Sequence, residues 1–313
     1  MNVRLAFGCG PQAQWTGLTL CKSDSRSVAE TRSGVDLERE RERERVRLVH
    51  NPCTAVGMCL ERIPKEKEPA LLVSFAYLKN WLKNKHRFHY RDWVMDSGAF
   101  SAHNAGTEIK LQDYIDTCKR LKESDPTLTE IYSLDVISNW KGSLKNCEEM
   151  WRQGVEAIPC YHVGEPEHVL KSLARDYPKI ALGGAVGYRR KDEWAQQCFA
   201  RVWPKKIHGF GFGAEKSIMG LPWHSVDATN WEIGPCKFGR WASMGGQSLN
   251  WRGGKQNLRA EVEWYLSLEQ RARQKWAGAM KAVEALAENS LRLAVVTPDA
   301  MSPRQEQAFG ARS

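Results

Sequence analysis

Several features that would settle the class of this 313-residue chain are missing from it. No apolar run approaches the ~20 residues of a membrane span, and the mean hydropathy is −0.53. The opening MNVRLAFGCGPQAQW lacks the long apolar segment of a secretory signal. The 9 cysteines form an odd set with no CxxC pair, so no disulfide framework is legible in their spacing. No GxGxxG follows an early strand pattern, which removes the main sign of a dinucleotide fold. These absences predict a soluble protein of a reduced, cytoplasmic compartment.

What is present suffices for one large domain: 42% of residues are apolar and 10% aromatic. Lys plus Arg number 46 against 37 for Asp plus Glu, a formal charge of +9 that favours a polyanionic partner. The N-terminal region is set apart. Lys22–Ser33 is mostly polar, and Asp36–Arg47 reads DLERERERERVR. Such an alternation is a solvated helix with i,i+3 pairs or a disordered run. Residues 1–45 are therefore read as a charged extension, the compact part as Val46 to Val296, and Thr297–Ser313 as a flexible tail.

Within the compact part, strand-like runs alternate with helix-like stretches. The runs are Leu71–Phe75, Trp93–Met95, Ile131–Val136, Ala157–His162, Ile180–Leu182, Ile207–Phe212 and Ser225–Ala228, with a weaker one at Phe238–Met244. Leu111–Glu123, Lys145–Gly154, His168–Tyr177 and Asp192–Val202 separate them as helices, and Leu258–Leu293 would close the fold. This β-then-α rhythm predicts a parallel sheet wrapped by helices, an α/β fold of the (β/α)8 TIM-barrel type.

In such a barrel the reactive groups sit where strands finish. The strand ends here carry Asp96 with Ser97 (VMDSGAFS), Asp135 (YSLDV), His162 (PCYHVGEP), Gly183 and Gly184 (LGGAVG), the segment HGFGFG, and Asp227 (HSVDATNW). Each has a structural alternative: an Asp can cap the next helix, a His can be a satisfied core residue, a Gly pair can be a tight turn. Three acids gathered at one mouth would raise one another's pKa values, and that cost favours a chemical role. Two carboxylates across a cleft suit substitution at an acetal-like carbon such as a sugar C1′, one as nucleophile and one as acid/base.

DSGAF at Asp96–Phe100 resembles the DSGG(Y/F) signature of tRNA-guanine transglycosylases, and LGGAVG at Leu182–Gly187 resembles their GGLAVG turn. SVDATNW and SFAYL are similar to the DpdA-like branch, which exchanges guanine in DNA for a 7-deazaguanine base. The resemblance spans about Leu71–Met244 and implies roles at matching positions. Asp227 is the nucleophile and Asp96 the acid/base; Phe100 stacks on the base. Asp135 bonds the purine edge, Gly183 and Gly184 meet its carbonyl, and Ser97 and His162 adjoin it. The family's CxCxxC zinc site has no counterpart, since Cys236 alone follows Asp227, so neither zinc subdomain, metal nor other cofactor is expected.

A basic track is expected at the mouth from Arg189, Arg190 and Lys191, from Lys205 and Lys206, and from Arg240 and Arg252, the last two interleaved with Trp231, Trp241 and Trp251. The expected partners are DNA, with the target base flipped or single-stranded, a free preQ0-type base, and a helicase or ATPase that opens the duplex. The alternatives are the same exchange on tRNA, a hydrolytic N-glycosylase, and a non-catalytic nucleic-acid-binding barrel.

Overall fold

The computed structural model describes residues 1–7, 67–231, 240–241, 243, 247–248, 254–279 and 281. One sheet holds nine strands: β1 (Asn2–Phe7), β2 (Ala70–Ser74), β3 (Asp92–Asp96), β4 (Leu128–Tyr132), β5 (Ala157–Ile158), β6 (Cys160–His162), β7 (Lys179–Gly183), β8 (Lys206–Gly209) and β9 (Ser225–Ala228). They run in the order β5-β4-β3-β2-β1-β9-β8-β7-β6, and every registered pair is parallel. β5 and β6 stand at opposite ends of that order yet are joined through Pro159 alone, so they are halves of one strand. Proline has no N–H for the ladder, which accounts for the break. Ser133 N donates to Ile158 O at 2.9 Å on one side, and Ala181 N donates to Pro159 O at 2.8 Å on the other. The result is a nearly closed barrel with eight strand positions, the TIM-type α/β architecture expected.

Successive strand residues alternate between two cores. Leu71, Val73, Trp93, Met95, Ile131, Ile180, Leu182, Ile207 and Val226 face outward into the larger one. Leu72, Val94, Tyr132, Ile158, Cys160 and Ala181 fill the lumen. The helices α1 (Leu78–Asn84), α2 (Ala99–Asn104), α3 (Leu111–Ser124), α4 (Trp140–Arg152), α5 (Glu167–Asp176), α6 (Lys191–Val202) and α7 (Glu215–Gly220) lie between the strands in sequence. Their apolar residues recur at helical spacing. On α3 the buried set is Tyr114, Ile115, Cys118 and Leu121, and on α5 it is Val169, Leu170 and Leu173. Full burial of each such large side chain is worth about 1.5–3 kcal/mol. The Asn139 side chain accepts from Gly142 N at 3.1 Å and so starts α4. The final helix, α8 (Gly254–Lys275), lies along β1, where Glu269 Oε2 accepts from Val3 N at 3.0 Å.

The floor of the lumen is ionic. Arg4 of β1, 2% exposed, places Nη1 2.5 Å from Asp92 Oδ1 and Nη2 3.7 Å from Glu130 Oε2. Lys179 Nζ lies 2.6 Å from the same Glu130 oxygen, and His224 Nε2 lies 3.7 Å from its other oxygen. Burial opposes ionisation of Glu130, but His224, Lys179 and Arg4 outweigh it and hold its carboxyl far below the usual range. Burial pulls Lys179 down to about 8 and His224 down to about 4. One positive residue on β1 is thereby tied to acids on β3 and β4.

The placement of β1 corrects the expected N-terminal boundary. Residues 2–7 pair with β2 and β9 inside the barrel, so the chain's first residues belong to the fold and not to an extension. NVRLAF is short, and its inward Arg4 breaks the apolar pattern by which a strand is recognised. The predicted eighth strand at Phe238–Met244 is also corrected. Arg240–Trp241 instead pairs antiparallel with Gln247–Ser248 in a separate two-stranded sheet, as β10 and β11. The Glu/Arg run, the boundary at Val46 and the tail from Thr297 lie outside the described residues.

Replacing Arg4 by Met would remove the buried cation that the half-buried Asp92 and Glu130 share. Urea unfolding should show a loss of about 3–5 kcal/mol. A loss below about 1 kcal/mol would remove β1 from the barrel.

Candidate active site

The C-terminal ends of the strands gather the predicted groups at one mouth. β3 finishes on Asp96, and the next turn passes through Gly98 at φ +72, where a Cβ would stand 2.8 Å from Ser74 Oγ. Only glycine takes that left-handed turn without strain. Gly98 N donates to Asp96 Oδ2 at 3.2 Å, and the buried Ser97 places its Oγ 3.5 Å from Ala99 N. Phe100, on the first turn of α2, is 50% exposed and offers a free aromatic surface.

Asp227 is buried near the end of β9. Its Oδ1 accepts from Gly211 N at 2.8 Å, on the turn after β8. The carbonyl of Gly211 accepts from Lys191 Nζ at 2.7 Å, and that ammonium also lies 5.2 Å from the Phe212 ring centroid. Lys191 thus fixes the turn whose amide meets Asp227. Below it, His208 Nδ1 lies 2.8 Å from Ser225 Oγ, and Nε2 is 3.7 Å from Asp227 Oδ1. Burial, reinforced by the charges of Lys179 and Arg4, holds His208 neutral.

The two acids are electrostatically unusual. Burial pushes the Asp227 carboxyl up to about 7; the charge of Asp96 adds to the rise, and the Gly211 amide opposes it. Burial pushes Asp96 up to about 6, with the charge of Asp135 adding to the effect. Both carboxyls are thus raised towards neutral pH, where a carboxyl can exchange a proton with a substrate or attack as the anion. This is the condition for acid/base and nucleophilic work on one substrate.

A second cluster borders the first. His162 ends β6, with Nε2 3.3 Å from Asp135 Oδ2 and Nδ1 3.0 Å from Glu165 Oε1. Glu165 Oε2 also accepts from His162 N at 3.1 Å. Burial disfavours a charged ring, yet Cys160 and the two carboxylates outweigh it and raise the His162 pKa well above its ordinary value. With both nitrogens facing carboxylates, His162 is held as a clamp between two acids at the mouth. Asp135 Oδ1 is buried and has no hydrogen-bond partner among the described residues. At the end of β7, Gly183 packs so closely that a Cβ would lie 2.6 Å from Cys160 Sγ, while Gly184 is exposed beyond it.

The turn after Gly184 carries an apolar tip and a basic flank. Tyr188 N donates to Ala185 O at 3.1 Å, leaving Val186 74% exposed and Tyr188 42% exposed. Arg189 is exposed, and Arg190 Nη2 lies 2.6 Å from Glu193 Oε2. Lys205 and Lys206 do not join them. They enter β8 at its N-terminal end, and Lys205 Nζ donates to Tyr177 O at 3.0 Å, so both stand at the opposite face of the barrel. The side chain of Arg240 and all of Arg252 lie outside the described residues. Glu165, Cys160, Gly211 and Lys191's contact with its carbonyl were not anticipated as site features. The GEP turn after His162 was a visible sign for Glu165; nothing local marked the others.

Comparisons with protein-family models, curated proteins and solved structures find no match to this chain. The functional reading therefore rests on the geometry of the mouth and on the motifs quoted above.

The raised acids carry a stability consequence. A folded pKa above the unfolded one favours folding below the ordinary carboxyl range, and that advantage is lost as pH rises towards 7. Asp227→Asn should therefore be more stable than the native chain at pH 8, by about 2–4 kcal/mol, and equal to it near pH 4. Thermal melts at the two pH values check this; equal stability at pH 8 would contradict the burial of a charged carboxylate.

Proposed function

We propose that the protein is a base-exchange transglycosylase acting on DNA, replacing guanine by a 7-deazaguanine base. The observation that carries this reading is the pair of acids at the mouth of the barrel, the half-buried Asp96 and the buried Asp227, with carboxyls pushed up to about 6 and about 7. Such a pair suits a double displacement at C1′. Asp227 attacks C1′ and forms a glycosyl ester as the C1′–N9 bond breaks, and Asp96 gives its proton to the departing guanine. The incoming base then loses its N9 proton to Asp96, and its N9 displaces Asp227 from C1′.

The positive charge that develops at C1′ in an oxocarbenium-like transition state favours the ionised carboxylate of the attacking Asp227 beside it. Further support comes from Phe100 as a stacking surface and from Asp135 Oδ1 as an unused acceptor for a purine N–H. The exposed turn at Val186–Arg190 suits a polyanion with unstacked bases. The choice of DNA and of a 7-deazaguanine follows the resemblance of DSGAF, LGGAVG and SVDATNW.

Radiolabelled guanine offered with duplex DNA, single-stranded DNA or tRNA tests the reading. Label is expected in DNA and not in tRNA. Asp227→Asn should lower exchange about a thousandfold or more, and Asp96→Asn about 10²–10⁴-fold. Label in tRNA alone would keep the chemistry and replace the polymer. Abasic product without added base would make the enzyme a hydrolase. Absence of both label and a trapped covalent adduct would overturn the proposal.

A further inference from the structure

The clamp around His162 contains one group that an ion pair does not need. Cys160 and His162 are two residues apart on β6, so both side chains point into the lumen. Asp135 follows β4, the strand that pairs with β5 at this same barrel position. The ligating atoms of Asp135, Cys160 and His162 all lie within 4.8 Å of one another. We propose that these three residues form a binding site for a borderline-soft divalent ion of the zinc class.

Four observations support this assignment. The donor set of thiolate, imidazole and carboxylate is the one zinc takes, and three protein donors leave a fourth position for a solvent or substrate atom. The 3.3 Å between His162 Nε2 and Asp135 Oδ2 is long for a charge-assisted hydrogen bond. It matches the edge of a tetrahedron whose metal–ligand bonds are about 2.0–2.1 Å. Glu165 Oε1, 3.0 Å from His162 Nδ1, is the outer carboxylate that orients a metal-bound imidazole. Gly183 leaves room for the Sγ in this place, since a Cβ there would stand 2.6 Å from it.

Asp135 Oδ1 stays available to a purine edge, so the site is compatible with base exchange but does not depend on it.

The test reads the metal and not turnover. Full-length protein, stripped with a chelator, is titrated with Co²⁺ and then Zn²⁺ alone. One equivalent of Co²⁺ should bind, with a thiolate-to-cobalt charge-transfer band in the near ultraviolet that Zn²⁺ abolishes. Binding should release protons, read from the buffer dependence of the heat. Cys160→Ser should lose the band, and Glu165→Gln should weaken affinity about 10–100-fold with the band retained. Cys198→Ala, a buried cysteine outside the cluster, should leave the band intact. Circular dichroism establishes that each variant is folded. A folded native chain that binds no stoichiometric ion, or a band that survives Cys160→Ser, would overturn the proposal.

Discussion

Arg4 meets two acids from strands that are distant in sequence, Asp92 at 2.5 Å and Glu130 at 3.7 Å, in a place where water does not reach it. A buried cation of that kind is costly alone and tolerable only when its partners are held in place, so the contact constrains the ring of strands as much as the ring enables the contact. Glu130 passes the constraint to Lys179 and to His224. Beside this ionic cluster Leu72, Val94, Tyr132, Ile158, Cys160 and Ala181 fill the lumen, and the acids of the mouth stand at the strand ends. The raised acids are tolerated because the packed lumen and its ion pairs fix the strands that carry them.

Much of this was legible in the sequence where one residue reports on itself. Ser225–Ala228 was read as a strand with the bounds it has in the fold, and Ile180–Leu182 fell inside β7. The acids at strand ends were legible too, because a parallel barrel delivers all of its strand ends to one face. The reading failed where a residue's meaning depends on its neighbours across the sheet. Nothing local marks Arg4, because its partners are 88 residues or more away. Lys205 and Lys206 looked like part of a basic mouth, but they enter their strand and do not leave it. The clamp on His162 joins the end of β6 to a loop after β4, and a linear pattern shows neither that adjacency nor the approach of Gly183 to Cys160.

Lys191 illustrates how the mouth is organised. It opens α6, yet its ammonium reaches the carbonyl of Gly211 on the next strand's turn, while the Gly211 amide points to Asp227. The ammonium holds in place the residue whose amide meets the carboxylate, and its charge also acts on Asp227 through space, opposing the rise in its pKa. The Val186–Tyr188 turn leaves from the same helix start. One short segment after β7 therefore both stiffens the acid's surroundings and presents an apolar, basic edge to the outside.

The position of β1 between β2 and β9 also bears on how the molecule comes to exist. Asp227 is registered directly against Arg4, so the first and last strands of the barrel are neighbours. Pairing β1 with β9 joins segments more than two hundred residues apart in the sequence, and long-range closure of this kind is slow. The shifted acidity of Asp227 depends on its burial, so the chemistry of the mouth waits on that closure.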